Sequence, residues 1–105
     1  MNTYDVGALD DIGKGAAKRV EAGRTVIALV RIDDDVYAIG DRCTHADISL
    51  SEGEVDCDDR TLECWKHGST FSLVDGQPQT LPATKPVPTY FVRVEDGRIL
   101  VDVSG

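Results

Sequence analysis

The chain has 105 residues, of which 41% are hydrophobic, so its length and composition predict one folded domain, residues 1–105. Its formal net charge of −8 opposes contact with phosphate backbones, so we expect no nucleic-acid partner. Residues 1–10 lack the features of a signal peptide, and the longest apolar run, Val26–Val30, is too short to cross a bilayer. We therefore expect a soluble protein with no membrane partner. The odd cysteine count favours a reducing cytoplasm.

The first strands are predicted to be short. Tyr4–Val6 and Arg19–Glu21 are candidate edge strands. The alanine-containing segment 8–22, which includes Arg19–Glu21, could be taken for a helix, but Gly13 and Gly15 would make a helix costly. We therefore predict a loop over 8–22 with at most one helical turn.

Two hairpins dominate the rest of the pattern. Their strands are β-branched runs joined by turn residues, and the second turn has Asp-Gly chemistry. Two shorter strands around a loop are predicted between the hairpins. The predicted hairpin strands are Thr25–Ile32 with Val36–Ile39 and Thr89–Val94 with Arg98–Val103, and the shorter ones are Thr61–Cys64 and Ser69–Val74.

Many short strands with regular turns indicate an all-β fold, an antiparallel sandwich or barrel. Segment 41–73 interrupts the alternation and contains all the cysteines and histidines. We expect it to form an inserted subdomain.

The most informative residues are two Cys-His pairs. Cys43-Thr44-His45 is a C-x-H motif, and after eighteen intervening residues Cys64-Trp65-Lys66-His67 is a C-x-x-H motif. The chain has two histidines, and both fall in this pattern. Each motif offers one thiolate and one imidazole, so the four residues Cys43, His45, Cys64 and His67 form a candidate metal site.

Structural zinc is the main alternative, since zinc also accepts two cysteines and two histidines. Zinc modules usually pair cysteine with cysteine and histidine with histidine. A single residue between Cys43 and His45 suits ligands that diverge to two neighbouring metals better than one shared tetrahedron. A catalytic Cys-His dyad is disfavoured because it leaves the second pair without a role.

The two motifs, with Gly68 after the last ligand, resemble the Rieske family, and the resemblance extends over most of the chain. Val36-Tyr37-Ala38-Ile39, Leu50-Ser51-Glu52-Gly53 and His67-Gly68-Ser69-Thr70-Phe71 resemble the flanks of the family's two ligand loops. The resemblance implies one 2Fe–2S cluster, with one iron held by Cys43 and Cys64 and the other by His45 and His67. It also implies an antiparallel β fold with the cluster at the tip of the inserted subdomain, covered by a segment like Pro82–Pro88.

Mixed ligation predicts the redox behaviour. Two ferric ions, two sulfides, two thiolates and two neutral imidazoles sum to zero charge, so the site accepts an electron more easily than an all-cysteine cluster. The corresponding range is about −150 to +300 mV. High-potential relatives add a disulfide between the ligand loops and a tyrosine two residues after a serine, whereas this chain has Ser69 followed by Phe71. We therefore predict a midpoint near about −150 mV.

The remaining residues narrow the function. Both histidines are already assigned, which leaves none for the catalytic iron of a Rieske oxygenase, and no dinucleotide-binding fingerprint is present. The chain resembles stand-alone Rieske ferredoxins, which carry electrons from a flavin-dependent reductase to a terminal oxygenase, often one that acts on aromatic rings. Alternatives are a redox-sensing or iron–sulfur-assembly module and a small subunit of nitrite reductase. Cys57 is predicted to be a free thiol in a turn.

Overall fold

The computed structural model describes residues 2–42, 49–64, 68–79 and 85–103, which form nine antiparallel strands and two short 3₁₀ helices. The helices are Leu9–Asp11 and Leu50–Glu52. None of the helices in these ranges is long and apolar enough to span a membrane. The strands are β1 Asn2–Ala8, β2 Ala16–Ala22, β3 Thr25–Ile32, β4 Asp35–Gly40, β5 Val55–Asp56, β6 Thr61–Glu63, β7 Thr70–Ser72, β8 Thr89–Glu95 and β9 Arg98–Val103.

Six strands form one sheet in the order β1-β9-β8-β4-β3-β2. The sheet curls until its edge strands meet. Tyr4 of β1 lies against the turn between β2 and β3, with its hydroxyl oxygen 2.7 Å from where a Cβ on Gly23 would sit. This nearly closed sheet confirms the predicted all-β, antiparallel, barrel-like architecture.

Strand β3 is buried on both faces, which explains why its sequence is an almost continuous apolar run. Ile27 and Leu29 point into one hydrophobic cluster inside the curled sheet, together with Val101. Ala28 and Val30 point the opposite way into a second cluster. The second cluster joins the large sheet to the rest of the molecule.

A small sheet in the order β5-β6-β7 covers the outer face of β3. Its residues Leu62 and Phe71 are fully buried cross-strand partners and belong to the same cluster as Val30. The small sheet falls within segment 41–73, where an inserted subdomain was expected.

The loop predicted over 8–22 is wrong for its second half, where the candidate edge strand Arg19–Glu21 is part of a longer edge strand. Leu9–Asp11 is the single helical turn, but Ala16–Ala22 is a full strand paired with β3, from Ala16 opposite Arg31 to Ala22 opposite Thr25. Tertiary pairing overrides the weak strand propensity of the alanines, because Val20 and Ala22 gain burial against the apolar face of β3.

The other strand boundaries differ less. The predicted strand Ser69–Val74 is shorter in the structure, where β7 covers Thr70–Ser72, and the two-residue strand β5 was not predicted. The two hairpins lie where they were expected, with each strand within one residue of its predicted bounds.

A buried arginine fastens the end of β3 far from the Cys-His motifs. Arg31 donates to the carbonyl oxygens of Leu9, Ile12 and Asp33 at 2.7–3.2 Å. Acidic side chains surround this end. Asp34 lies 3.6 Å from Arg31, and Asp35 lies 3.3 Å from Arg60. These ion pairs give Asp34 and Asp35 a local structural role.

Candidate iron–sulfur site

The first ligand loop leaves the large sheet where β4 ends. Asp41 and Arg42 form one side of its neck, and Ser49 and Leu50 form the other. Arg42 and Ser49 are paired as an isolated β-bridge, and the amide of Leu50 donates to the carbonyl oxygen of Asp41 at 2.5 Å. The neck therefore holds the residues that flank segment 43–48 side by side.

Side-chain contacts reinforce this neck. The Asp41 carboxylate is buried, and it accepts hydrogen bonds from the Ser49 hydroxyl at 2.5 Å and the Ser51 amide at 2.9 Å. Arg19 Nε of strand β2 lies 3.6 Å from the same carboxylate. The Asp41 side chain thus connects β2 with both sides of the loop.

The second ligand loop follows β6. Cys64 is fully buried, its amide donates to the carbonyl oxygen of Ser69 at 2.7 Å, and its own carbonyl oxygen accepts from the amide of Gly68 at 2.9 Å. These two bonds hold Cys64 against Gly68 and Ser69. Ser69 is also fully buried. The Cys64 side chain lies in the same hydrophobic cluster as Leu50.

The two loops are in direct backbone contact. Gly53, just after the first loop, lies so close to β6 that a Cβ placed on it would stand 1.6 Å from the carbonyl oxygen of Glu63. The amide of Glu63 also donates to the carbonyl oxygen of Glu54 at 2.9 Å. Glu63 directly precedes Cys64, so this contact sets the first loop against the second.

The segment after β7 is attached to the same region from another side. The amide of Val87 donates to the carbonyl oxygen of Gly76 at 2.9 Å, and a Cβ on Gly76 would lie 2.1 Å from the carbonyl oxygen of Val87. The amide of Gly40 donates to the carbonyl oxygen of Pro88 at 2.8 Å. Pro88 is thereby held beside Gly40, the last residue of β4, which directly precedes Asp41. Residues 82–84 of the predicted covering segment lie outside the described ranges.

A groove of about 560 Å³ opens beside the first loop's neck. Its walls include Arg19, Asp41, Pro88 and Tyr90. Partial burial raises the pKa of the Tyr90 hydroxyl above its usual value of 10.0, so that hydroxyl stays protonated at neutral pH.

One of the four predicted ligands, Cys64, lies within the described residues. Cys43, His45 and His67 lie outside them, so the geometry of the four donors remains a prediction. Within residues 2–42, 49–64, 68–79 and 85–103, no three Cys, His, Asp or Glu side chains gather in a metal-binding arrangement. The described parts bring the bases of the two loops together.

The leftover cysteine lies apart from Cys64. Cys57 is a free, exposed thiol in the turn between β5 and β6, and Cys64 follows the opposite end of β6. This confirms the prediction of a free thiol in a turn. The Sγ atom of Cys57 lies 3.3 Å from where a Cβ on Gly15 would sit, next to the loop before β2.

A family model for the Rieske [2Fe-2S] domain matches residues 2–91 of this chain, which includes both Cys-His motifs. The chain belongs to the Rieske [2Fe–2S] family. It is 42% identical over 103 residues to the 3-phenylpropionate/cinnamic acid dioxygenase ferredoxin subunit of Escherichia coli strain K12, covering 98% of this chain and 95% of the relative.

Solved structures of dioxygenase ferredoxins have the same fold as this chain. The ferredoxin of carbazole 1,9a-dioxygenase from Nocardioides aromaticivorans IC177 superposes with a TM-score of 0.93 at 32% identity, covering 96% of this chain and 97% of that one. A complex of reduced oxygenase and oxidised ferredoxin in carbazole 1,9a-dioxygenase matches with a TM-score of 0.86 at 36% identity, covering 94% and 91%. The chain therefore carries one Rieske-type 2Fe–2S cluster.

The described residues fit such a cluster. Cys64 offers a thiol on a loop anchored at both ends, and the neck of the first loop lies against the strand that leads to it. The buried cluster of Leu50, Leu62 and Phe71 closes the inner side of this region to solvent. The sequence indicated the donor residues but missed Asp41 and Gly53, whose roles depend on contacts between segments distant along the chain.

Proposed function

We propose that this chain is the ferredoxin component of a dioxygenase system. It carries single electrons from a flavin-dependent reductase to a terminal oxygenase, and it works in the cytoplasm. The observation that carries the proposal is the 42% identity, over nearly the full length of both chains, to a dioxygenase ferredoxin subunit. A ferredoxin relative matched at 36% identity forms a complex with its oxygenase, which supports the oxygenase as the electron acceptor.

The same proposal assigns the ligands. Cys43, His45, Cys64 and His67 hold the cluster, with the cysteines on one iron and the histidines on the other. Their support is the C-x-H and C-x-x-H pattern within the family match, together with the buried position of Cys64. When bound, the cluster supplies a centre that accepts one electron and returns it.

The chain's own residues hold the donors in place. The bases of the two loops are fixed by the bridge between Arg42 and Ser49 and by the hydrogen bonds that join Cys64 to Gly68 and Ser69. Buried Leu50, Leu62 and Phe71 form a rigid apolar support behind them. We expect a buried support of this kind to hold the donors in place in both redox states, so that little rearrangement accompanies electron transfer.

The carrier function is favoured over the alternatives. The matched sequence relatives at 41–42% identity are named ferredoxin subunits of a dioxygenase. Two solved structures named as small subunits of nitrite reductase match at 24% and 28% identity, well below the 42% of the dioxygenase ferredoxin subunit. No catalytic step is assigned to this chain by itself.

Stopped-flow kinetics test the proposal directly. The holoprotein should be reduced within milliseconds to seconds by an NADH-dependent flavin reductase. It should then be reoxidised by an oxidised, substrate-loaded terminal oxygenase of the aromatic-ring class. Reduction without transfer to any such oxygenase would contradict the carrier function. Cys64→Ser should abolish both steps through loss of the cluster, and Cys57→Ser is the matched control that should leave both unchanged.

A further inference from the structure

The neck of the first ligand loop contains a buried carboxylate that no predicted ligand role explains. Asp41 has 4% of its surface exposed, and it is the one acidic residue that is buried among the described residues. Burying a charged carboxylate costs several kcal/mol unless its oxygens are paired. Here the cost is offset by the Ser49 hydroxyl, the Ser51 amide and the Arg19 guanidinium.

Asp41 and its two serine partners lie on opposite sides of the loop. Asp41 stands two residues before Cys43, whereas Ser49 and Ser51 follow the segment that contains Cys43 and His45. One carboxylate oxygen accepts from Ser49, and the other accepts from the Ser51 amide. The Ser49 and Ser51 hydroxyl oxygens are themselves 2.8 Å apart, so the polar groups form one connected network.

Backbone hydrogen bonds of Asp41 also connect the neck to its surroundings. The amide of Asp41 donates to the carbonyl oxygen of Val26 on β3 at 3.3 Å, which fixes Asp41 to the large sheet. The carbonyl oxygen of Asp41 accepts from the amide of Leu50, whose side chain is fully buried beside Cys64. Asp41 therefore joins the sheet, the closing side of the first loop and the support of the second loop.

We propose that Asp41 is a positioning residue for the iron–sulfur cluster, because its carboxylate fixes the distance between the two sides of the loop that presents Cys43 and His45. The proposal rests on the proposed ligand set. A backbone bridge alone allows the loop ends to twist about each other, whereas two carboxylate oxygens bonded to different groups restrict that motion. The negative charge beside the first ligand also opposes the addition of an electron to the cluster.

The charge and the hydrogen bonds are separated by two substitutions. In Asp41→Asn the amide oxygen can still accept from the Ser51 amide, and the amide nitrogen can donate a hydrogen bond to the Ser49 oxygen. The charge is removed. Asp41→Ala removes both the charge and the hydrogen bonds. We expect a higher midpoint potential in Asp41→Asn, and in Asp41→Ala cluster loss to an iron chelator that is about 10–100-fold faster, as for other groups that orient metal ligands.

Two further variants test the network itself. Ser49→Ala removes the hydroxyl partner of Asp41 and should accelerate cluster loss less than Asp41→Ala does. Because both substitutions break the same bond, the double variant should lose its cluster no more than slightly faster than Asp41→Ala alone. Ser49→Ala also provides a readout if Asp41→Ala does not fold.

Controls distinguish positioning from general stability. Asp5→Asn makes the same chemical change at an exposed carboxylate paired with Arg98 on the β1–β9 edge, and it should leave the midpoint potential unchanged. Arg31→Met removes a buried anchor at the other end of β3, so it lowers stability without touching the ligand loops. EPR of the reduced protein should change in the Asp41 variants and stay as in the wild type in both controls.

The outcomes separate this inference from the proposed ligand set. If Cys43→Ser and His45→Ala keep the wild-type EPR signal, the ligand set is wrong and the role of Asp41 falls with it. If those variants lose the signal, but the Asp41 and Ser49 variants match Arg31→Met in chelation rate, potential and EPR, only the positioning role is wrong.

Discussion

Replacing Gly53 by alanine should separate the two ligand loops. A Cβ at this position would stand 1.6 Å from the carbonyl oxygen of Glu63, far inside the 3.0 Å that real Cβ atoms keep. The obstructing atom belongs to the backbone of β6, so the strand and the loop must move apart by well over an ångström. The 2.9 Å hydrogen bond from the Glu63 amide to Glu54 cannot survive that movement.

The magnitude follows from these two losses. Overpacking typically costs about 1–3 kcal/mol, and a lost backbone hydrogen bond costs about 1 kcal/mol. A loss of about 2–4 kcal/mol is a large part of the roughly 5–15 kcal/mol that stabilises a domain. For a chain of this size it should lower the melting temperature by about 10–25 °C.

The assay combines thermal unfolding, followed by circular dichroism, with iron and cluster absorbance per chain. The matched control is Gly13→Ala, because its new Cβ would lie 3.9 Å from the nearest atom, the Cβ of Ala16. That variant should be as stable as the wild type or slightly more stable. A Gly53→Ala protein with the melting temperature and cluster content of Gly13→Ala would refute the proposed close contact between the loops.

Three further predictions concern the cluster and the sheet ends. Redox titration should place the midpoint at about −150 mV. A value above zero would contradict the inference that the missing tyrosine donor keeps the potential low. Arg31→Met should lower the unfolding free energy in urea by about 2–4 kcal/mol, because three carbonyl oxygens lose their donor. Asp5→Asn should lower stability at neutral pH. The hydrogen bond from Arg98 holds the pKa of Asp5 below its usual 3.8. The contribution of Asp5 to stability therefore exists above the unfolded-state pKa and disappears as the pH falls through the folded-state pKa. A stability difference between wild type and variant that persists at the lowest pH would contradict this reasoning.

The hairpins could be predicted from the sequence because their signals are local. Thr25–Ile32 is a β-branched run followed by turn residues, and the Asp96-Gly97 turn joins β8 to β9. Of strand β2, the sequence predicts only the short edge strand Arg19–Glu21, because the alanines and nearby glycines carry a loop signal. What makes it a strand is the burial of Val20 and Ala22 against β3, which depends on tertiary packing.

The candidate site was predictable for a different reason. The Cys-His pairs are chemically rare and their spacing can be read directly, so no three-dimensional information is needed to select them. Asp41 and Gly53 have no such signature. An aspartate before a cysteine and a glycine after a short helix are both common in turns, and their importance comes from Ser49, Ser51 and Glu63 on other segments.

Phe71 offers a test of why the potential should be low. It is fully buried, it pairs across the small sheet with Leu62, and it shares a cluster with Cys64. In high-potential relatives, as inferred from the resemblance, a tyrosine at this place donates to a sulfur of the cluster. A bond that favours the reduced state by about 1.4 kcal/mol shifts a one-electron couple by about 59 mV.

Phe71→Tyr should therefore raise the midpoint potential by roughly that amount, because the reduced cluster carries the extra negative charge that a hydroxyl stabilises. Phe91→Tyr is the matched control, since Phe91 is 66% exposed on strand β8 and its new hydroxyl would meet water. Both variants should keep the wild-type cluster content. If the potential of Phe71→Tyr equals that of Phe91→Tyr while its EPR signal is intact, the missing hydroxyl is not what sets the potential, and the ligand loops must be held in a different arrangement from that of the high-potential relatives.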